Sequence, residues 1–265
     1  MVMSVSTILA ATLMVGGVGL FVGIFLSFAS KVFAVPVDEK EQAIAEVLPG
    51  ANCGGCGFSG CAALAAAIAS GNAPVNSCVV GQKPVADKIA EIMGTSAGSD
   101  ERKVAFVRCV GDCEKTTENY VYTGPKSCNV VKFAPTGGPK SCRFGCTGFG
   151  ECVEACEFGA LSIQKGVAHV DEELCKDCKK CMAACPKGLI IEVPYHYVSH
   201  IGCVNPEKGK PVMNNCKIGC ISCQKCVKTC PQQAIEMAGG FPVIDYGKCT
   251  NCGECKANCP RKCIV

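Results

Sequence analysis

The sequence predicts an α+β chain with an N-terminal transmembrane helix, a small α-rich domain and two tandem cysteine-rich modules. Three observations predict it. No charged side chain occurs before Lys31. An alanine-rich stretch, Ala62 to Ala69, follows a glycine-rich cysteine motif. In the second half, cysteine spacings recur at a fixed interval of 74 positions.

Residues 1–33 read as a membrane anchor. Val5 to Ala29 is long enough to span a bilayer, which takes roughly 20 apolar residues. A cleaved signal peptide would need a basic n-region and a short apolar region, and neither is present. The first basic residues, Lys31 and Lys40, follow the helix. The positive-inside rule then puts the remainder on the cytoplasmic side of the plasma membrane, after a single pass. Gly19 and Gly23, four apart in an apolar helix, suit packing against another membrane helix.

Residues 34–95 form the α-rich domain. Pro36 ends the span. Asp38 can cap a helix through Glu46, with Glu39 and Glu41 favourable in its first turn. Cys53, Cys56 and Cys61 then read C-x2-C-x4-C, with Cys78 as a distant fourth. Gly54, Gly55 and Gly57 let the backbone turn tightly around a [4Fe-4S] cube. Four isolated cysteines also suit zinc, and the motifs that follow favour iron–sulfur.

Residues 96–138 read as a linker region. Gly94 to Asp100 is small and polar. Lys103–Val107 and Asn119–Tyr122 have the β-branched or alternating character of short strands. Cys109, Cys113 and Cys128 are one ligand short of a cube, and Pro135 to Pro139 is a loop.

Residues 139–195 and 196–265 are the two modules. Cys220, Cys223, Cys226 and Cys230 read C-x2-C-x2-C-x3-C, with Pro231 directly after; Cys249, Cys252, Cys255 and Cys259 repeat this before Pro260. Three closely spaced cysteines wrap three irons of a cube. In two-cluster ferredoxins the cysteine before the proline serves the other cluster. Cys220, Cys223, Cys226 and Cys259 are therefore expected to hold one cube, and Cys249, Cys252, Cys255 and Cys230 its neighbour. Cys142, Cys146, Cys152, Cys156, Cys175, Cys178, Cys181 and Cys185 each lie 74 positions before Cys216, Cys220, Cys226, Cys230, Cys249, Cys252, Cys255 and Cys259. The chain thus carries two tandem bacterial-type 2[4Fe-4S] ferredoxin modules. The counterpart of Cys223 is Phe149, so the first module's leading cube is expected to use Cys142 with Cys146, Cys152 and Cys185. Its other cube takes Cys175, Cys178, Cys181 and Cys156. That makes five cubes. A sixth can be drawn from Cys109, Cys113 and Cys128 with Cys203 or Cys216; the alternative is buried structural thiols, the role expected of Cys263.

Composition agrees with a metal-loaded protein. There are 26 Cys among 265 residues, a density that implies disulfides or metal. Disulfide scaffolds are short and secreted, whereas these cysteines fall in metal-ligand rhythm. Trp is absent and aromatics are few. The clusters must stand in for an aromatic core, and the apo chain is expected to be largely unfolded. The formal charge of +3 is offset by anionic clusters, so no nucleic-acid partner is expected. His169, His196 and His200 read as loop or surface residues. The lysines and arginine around the cubes (Lys176, Lys179, Lys180, Lys225, Lys228, Lys256, Arg261, Lys262) could dock an acidic redox partner or simply be solvated. No nucleotide loop, flavin signature or acid–base pair is recognisable, so no catalytic residue is expected. The chain reads as a relay of single electrons.

The order of membrane span, C-G-G-C-G-F-S-G-C segment at Cys53 to Cys61 and ferredoxin modules resembles the RnfB family over nearly the whole chain. These are the B subunits of Rnf complexes. The resemblance implies a membrane-bound, Na⁺- or H⁺-translocating ferredoxin:NAD oxidoreductase. Its B subunit exchanges electrons with soluble ferredoxin and passes them to flavin- and iron-bearing, membrane-embedded partners. Two other readings remain open: an anchored polyferredoxin subunit of another redox enzyme, and an iron–sulfur storage or assembly scaffold.

Overall fold

The computed structural model describes residues 5–32, 38–98 and 101–265, and within the first helix the side chains at 13–29. That helix, α1 (Val5–Val32), is 28 residues long. Its large apolar side chains from Leu13 to Phe28 are exposed. Among the described residues no helix is long and apolar enough to cross a membrane. The first turns of the expected span, 5–12, lie outside the described side chains.

Three helices make the next unit: α2 (Glu39–Val47), α3 (Cys61–Ala69) and α4 (Gln82–Met93). Asp38 caps α2 by accepting from the Lys40 amide at 2.9 Å. Asn52 Oδ1 accepts from the Cys61 amide at 2.8 Å, capping α3 from outside the helix and fixing Cys61. Gly94, at φ 66°, ends α4 in the left-handed conformation, where glycine carries no Cβ penalty. Ile44, Leu48, Leu64, Ala65, Ile68 and Ile89 form the core, with Cys78 against it. Burying each of the larger side chains contributes about 1.5–3 kcal/mol.

β1 (Lys103–Val107) then begins the ferredoxin part, followed by the short α5 (Cys128–Val131) and α6 (Glu151–Glu154). The first module continues with β2 (Leu161–Gln164), β3 (Val167–Val170), α7 (Lys180–Ala184) and β4 (Ile190–Pro194). The second holds α8 (Lys210–Asn215), α9 (Lys225–Thr229), β5 (Ile235–Ala238), β6 (Phe241–Ile244) and α10 (Glu254–Ala257). β2 pairs antiparallel with β3, Leu161 opposite Val170. β5 pairs with β6, Ile235 opposite Ile244. The two hairpins stand at the interval of the cysteine repeat, as do α7 and α10.

β1 pairs antiparallel with β4, Lys103 opposite Pro194, so this part of the expected linker region completes the first module's fold. In the second module Ile264, the counterpart of Ile190, bridges to Ile201. Asn119–Tyr122 is not a strand. Its β-branched and aromatic side chains find no ladder partner and anchor singly: Tyr120 donates to the Pro135 carbonyl at 2.9 Å, and Tyr122 stacks on Phe149. His200 is not a surface residue either. It is 6% exposed, with Nδ1 2.7 Å from the Tyr246 hydroxyl and its ring 4.9 Å from that of Phe106.

Candidate metal centres

Four loops of the repeat share one backbone device. Gly148 and Gly150, and their counterparts Ser222 and Gln224, all have positive φ; so do Asp177 and Lys179 with Asn251 and Gly253. Left-handed residues alternating with right-handed ones turn successive N–H groups inward, the nest arrangement that receives anions. Several cysteine sulfurs accept amide N–H groups at 3.3 Å, from Gly81 to Cys78, Ala105 to Cys175 and Ala234 to Cys230. N–H groups aimed at sulfur are what a cluster thiolate uses to set its potential.

Four cysteines line each of four cavities, and a fifth cavity is lined by five. The Cys53 site, of about 300 Å³, is lined by Cys53, Cys56, Cys61 and Cys78. The Cys175 site, also about 300 Å³, is lined by Cys156, Cys175, Cys178 and Cys181, joining the two motifs of the first module. The Cys220 site, about 370 Å³, is lined by Cys220, Cys223, Cys226 and Cys259, with Cys263 alongside. Cys230, Cys249 and Cys255 pack in the core of the second module, and Cys252 is exposed.

The first module's other site departs from the expected grouping. Its cavity, about 410 Å³, is lined by Cys146, Cys152 and Cys185, with Cys128 rather than Cys142. Cys128, the first residue of α5, is thus the fourth thiol in that wall, where the repeat has Phe149 in place of a cysteine. Ser127 caps that helix and donates to Glu151. Glu151 also accepts from Asn129 Nδ2 at 2.6 Å. Burial opposes ionisation of Glu151, but these bonds outweigh it and hold the carboxyl below the usual range. Thr147 Oγ1 lies 3.3 Å from Cys128 Sγ. Cys142 lines a different cavity, about 430 Å³, with Cys109, Cys203 and Cys216. Cys113 is exposed and lines none of the described cavities.

Among the described residues no three His, Cys, Asp or Glu side chains close on a single-ion geometry; the thiols instead ring voids. Burial pushes Cys152, Cys181 and Cys203 up to about 12, and a metal's charge beside them would favour the thiolate. At the Cys220 site a hydrogen bond from Cys263 outweighs burial and lowers Cys220 to about 7 and Cys259 to about 5. Cys263 Sγ lies 3.7 Å from Cys259 Sγ. The donor set and the amides aimed at sulfur fit thiolate-bound [4Fe-4S] cubes.

Spacing alone could not reveal Asn52, Glu151 or Lys140. Lys140 lines the Cys109 cavity, 6% exposed, and Lys187 lines the Cys146 cavity. A lysine two residues before or after a cysteine carries no signal of its burial.

Family models agree with this layout. An Fe-S cluster model matches residues 48–80, a 4Fe-4S binding domain 167–190 and a 4Fe-4S dicluster domain 219–263. Over 260 residues the chain is 43% identical to the B subunit of the ion-translocating oxidoreductase complex of Methanosarcina acetivorans, covering 98% of each. It is 43% identical to the B subunit of the Na⁺-translocating ferredoxin:NAD⁺ oxidoreductase complex of Acetobacterium woodii, covering 98% of this chain and 78% of that one. A proton-translocating counterpart from Clostridium ljungdahlii is 37% identical, over 93% of this chain and 88% of its own. With near-complete coverage at this identity, on a fold whose cysteines ring voids, the chain belongs to the family of B subunits of ion-translocating oxidoreductase complexes.

Proposed function

We propose that the chain is the iron–sulfur electron-transfer subunit of a membrane-bound, ion-translocating ferredoxin:NAD oxidoreductase complex. It takes electrons from soluble ferredoxin and relays them through [4Fe-4S] clusters to flavin- and iron-bearing partners in the membrane. The observation that carries this is the set of thiol-lined cavities in a chain matched over 98% of its length by such subunits. The ligands at the repeat and N-terminal sites are Cys53, Cys56, Cys61 and Cys78; Cys156, Cys175, Cys178 and Cys181; Cys128, Cys146, Cys152 and Cys185; Cys220, Cys223, Cys226 and Cys259; and Cys230, Cys249, Cys252 and Cys255. Each cube supplies a one-electron carrier whose potential follows its hydrogen bonds, local charge and exposure.

The two modules differ in what covers them, which supports a polarity. A Cβ on Gly55 would lie 3.1 Å from Cys178 Cα, so the N-terminal unit sits directly on the first module's cysteine loop. The counterpart of Cys178 is Cys252, which is exposed, as is Cys223. The second module therefore offers soluble ferredoxin the face that the N-terminal unit occupies on the first. The Cys53 site is then the exit towards the membrane partners, next to α1 as a single-pass anchor with the clusters on the cytoplasmic side.

The test uses full-length protein isolated without oxygen and mixed with reduced soluble ferredoxin. Cluster absorbance should bleach, and Cys249→Ala should abolish that reduction. An unchanged rate in the variant overturns the polarity. Native protein free of iron, or filled with zinc, overturns the relay.

A further inference from the structure

We infer that Cys109, Cys142, Cys203 and Cys216 hold a sixth [4Fe-4S] cluster, which joins the two ferredoxin modules into one unbranched series. The inference rests on the relay reading above. All four cysteines lie outside the matched segments 48–80, 167–190 and 219–263.

The site is built from four separate stretches, tied together by backbone. Cys109 follows β1, and Cys203 faces it across an isolated antiparallel bridge. Cys216 ends α8 and bridges to Thr116. Cys142 lies in the loop ahead of α6, with Asn205 Nδ2 3.9 Å from its sulfur. The four thiols line a single cavity of about 430 Å³. Four glycines line it as well: Gly111, Gly145, Gly202 and Gly219. A Cβ on Gly111 would fall 3.2 Å from Cys216 Sγ, one on Gly145 3.4 Å from Cys109 Sγ, and one on Gly219 3.3 Å from Cys216 Cβ.

Charge provides a second, independent argument. Lys140 is buried in the wall of this cavity. Its ammonium donates to the Gly166 carbonyl at 2.6 Å and reaches the Gly111 carbonyl at 3.4 Å. Among the described residues it forms no ion pair. Lysine is almost never fully buried without a counter-charge, and two carbonyl dipoles do not supply one. An anionic four-thiolate cube in the adjoining void does.

The site's neighbours fix its place in the series. On one side the Cys146 amide lies 3.3 Å from Cys109 Sγ, so a ligand of the first module is bonded to a ligand of this site. On the other the Cys220 amide lies 3.3 Å from Cys203 Sγ, reaching the second module in the same way. Arg261 reinforces that joint by donating to the Cys216 carbonyl at 2.8 Å and to the Gly219 carbonyl at 3.2 Å. The order is then Cys53, Cys175, Cys146, Cys109, Cys220 and Cys249 sites. An electron leaving the reduced cube of one module reduces the junction cube, which reduces the next.

Iron and acid-labile sulfide per chain in anaerobically isolated full-length protein test this. About 24 irons are expected, against about 20 without the junction. Cys142→Ala and Cys216→Ala should each lose about four irons, and the double variant the same four. Cys142→Ala with Cys128→Ala should lose about eight, because those cysteines serve different cubes. If the variants do not fold, the wild-type count and its low-temperature Mössbauer spectrum still decide between five cubes and six. About 20 irons, all retained in Cys142→Ala, would overturn the junction while leaving the relay standing; an iron-free chain would overturn the relay itself.

Discussion

Tyr122 stacks on Phe149 with ring centroids 5.7 Å apart and an interplanar angle of 29°. Phe149 stands where the second module has Cys223, and Tyr122 belongs to the segment that brings in Cys128. Phe149 thus packs against the segment that leads to Cys128, the fourth thiol of that cavity. An offset aromatic pair of this kind is worth about 0.5–1.5 kcal/mol beyond its buried area.

That substitution can be reversed. Cys128→Ala should lose about four irons per chain. Adding Phe149→Cys to it should recover them, since the left-handed residues Gly148 and Gly150 already match Ser222 and Gln224 around Cys223. Iron content of the single and double variants checks this.

Glu151, itself in the wall of the Cys146 cavity, should act by holding Cys128 in place. It accepts from Ser127, from the Asn129 amide at 3.2 Å and from Asn129 Nδ2 at 2.6 Å. Hydrogen bonds to a charged group contribute about 1.5–3 kcal/mol each. Glu151→Ala should speed iron loss from the Cys146 site under chelator, while the Cys53 site keeps its iron. Glu151→Gln should fall between.

His200 should make the loaded protein sensitive to mild acid. Burial holds its pKa below the ordinary imidazole value. The fold therefore favours neutral imidazole. That stability is complete above the unfolded pKa of about 6.5 and drains away as pH falls through the lower folded value. Denaturant midpoints at pH 7.5 and 5.5, compared between wild type and His200→Gln, should show the wild-type drop flattened in the variant.

Gly55→Val should separate the N-terminal unit from the first module. Its Cβ would stand 2.9 Å from Val79 Cγ2 and 3.1 Å from Cys178 Cα. Overpacking at such a contact costs about 1–3 kcal/mol. Proteolysis between the two units should accelerate. The ferredoxin modules should keep their iron, and reduction of the Cys53 cluster by ferredoxin should lag behind the rest.

Chelating the iron from wild type should collapse the ferredoxin part outright. Its cores include Cys175, Cys181, Cys226 and Cys255 among few large side chains, so the fold depends on what those thiols hold. Loss of far-ultraviolet ellipticity in step with iron loss is the expected record.

Much of this was legible in the sequence because it is local. Loop spacing and the interval of 74 place three cysteines of each repeat site, and Asp38 and the β-branched run at 103–107 mark the start of α2 and of β1. What escaped is tertiary. Whether Cys142 or Cys128 completes a site depends on how residues 110–140 fold back over the module. Spacing is silent on that. Asn119–Tyr122 has strand chemistry but no strand beside it. Lys140 and Asn52 act only across folded distances. Counting cysteines left a remainder; only the fold shows four segments meeting over one void.

The four-segment construction of the Cys109 site also dictates a schedule for biogenesis. The thiols of the Cys53 site emerge from the ribosome close together, and that centre can be filled early. Cys216 is the last of the junction's ligands to be synthesised, by which time Cys109 has waited through the whole first module. That thiol therefore has to stay reduced and open until the second half arrives. A stalled or truncated product would carry filled centres at its front and none at the seam, a defect that quality control could read as an incomplete chain.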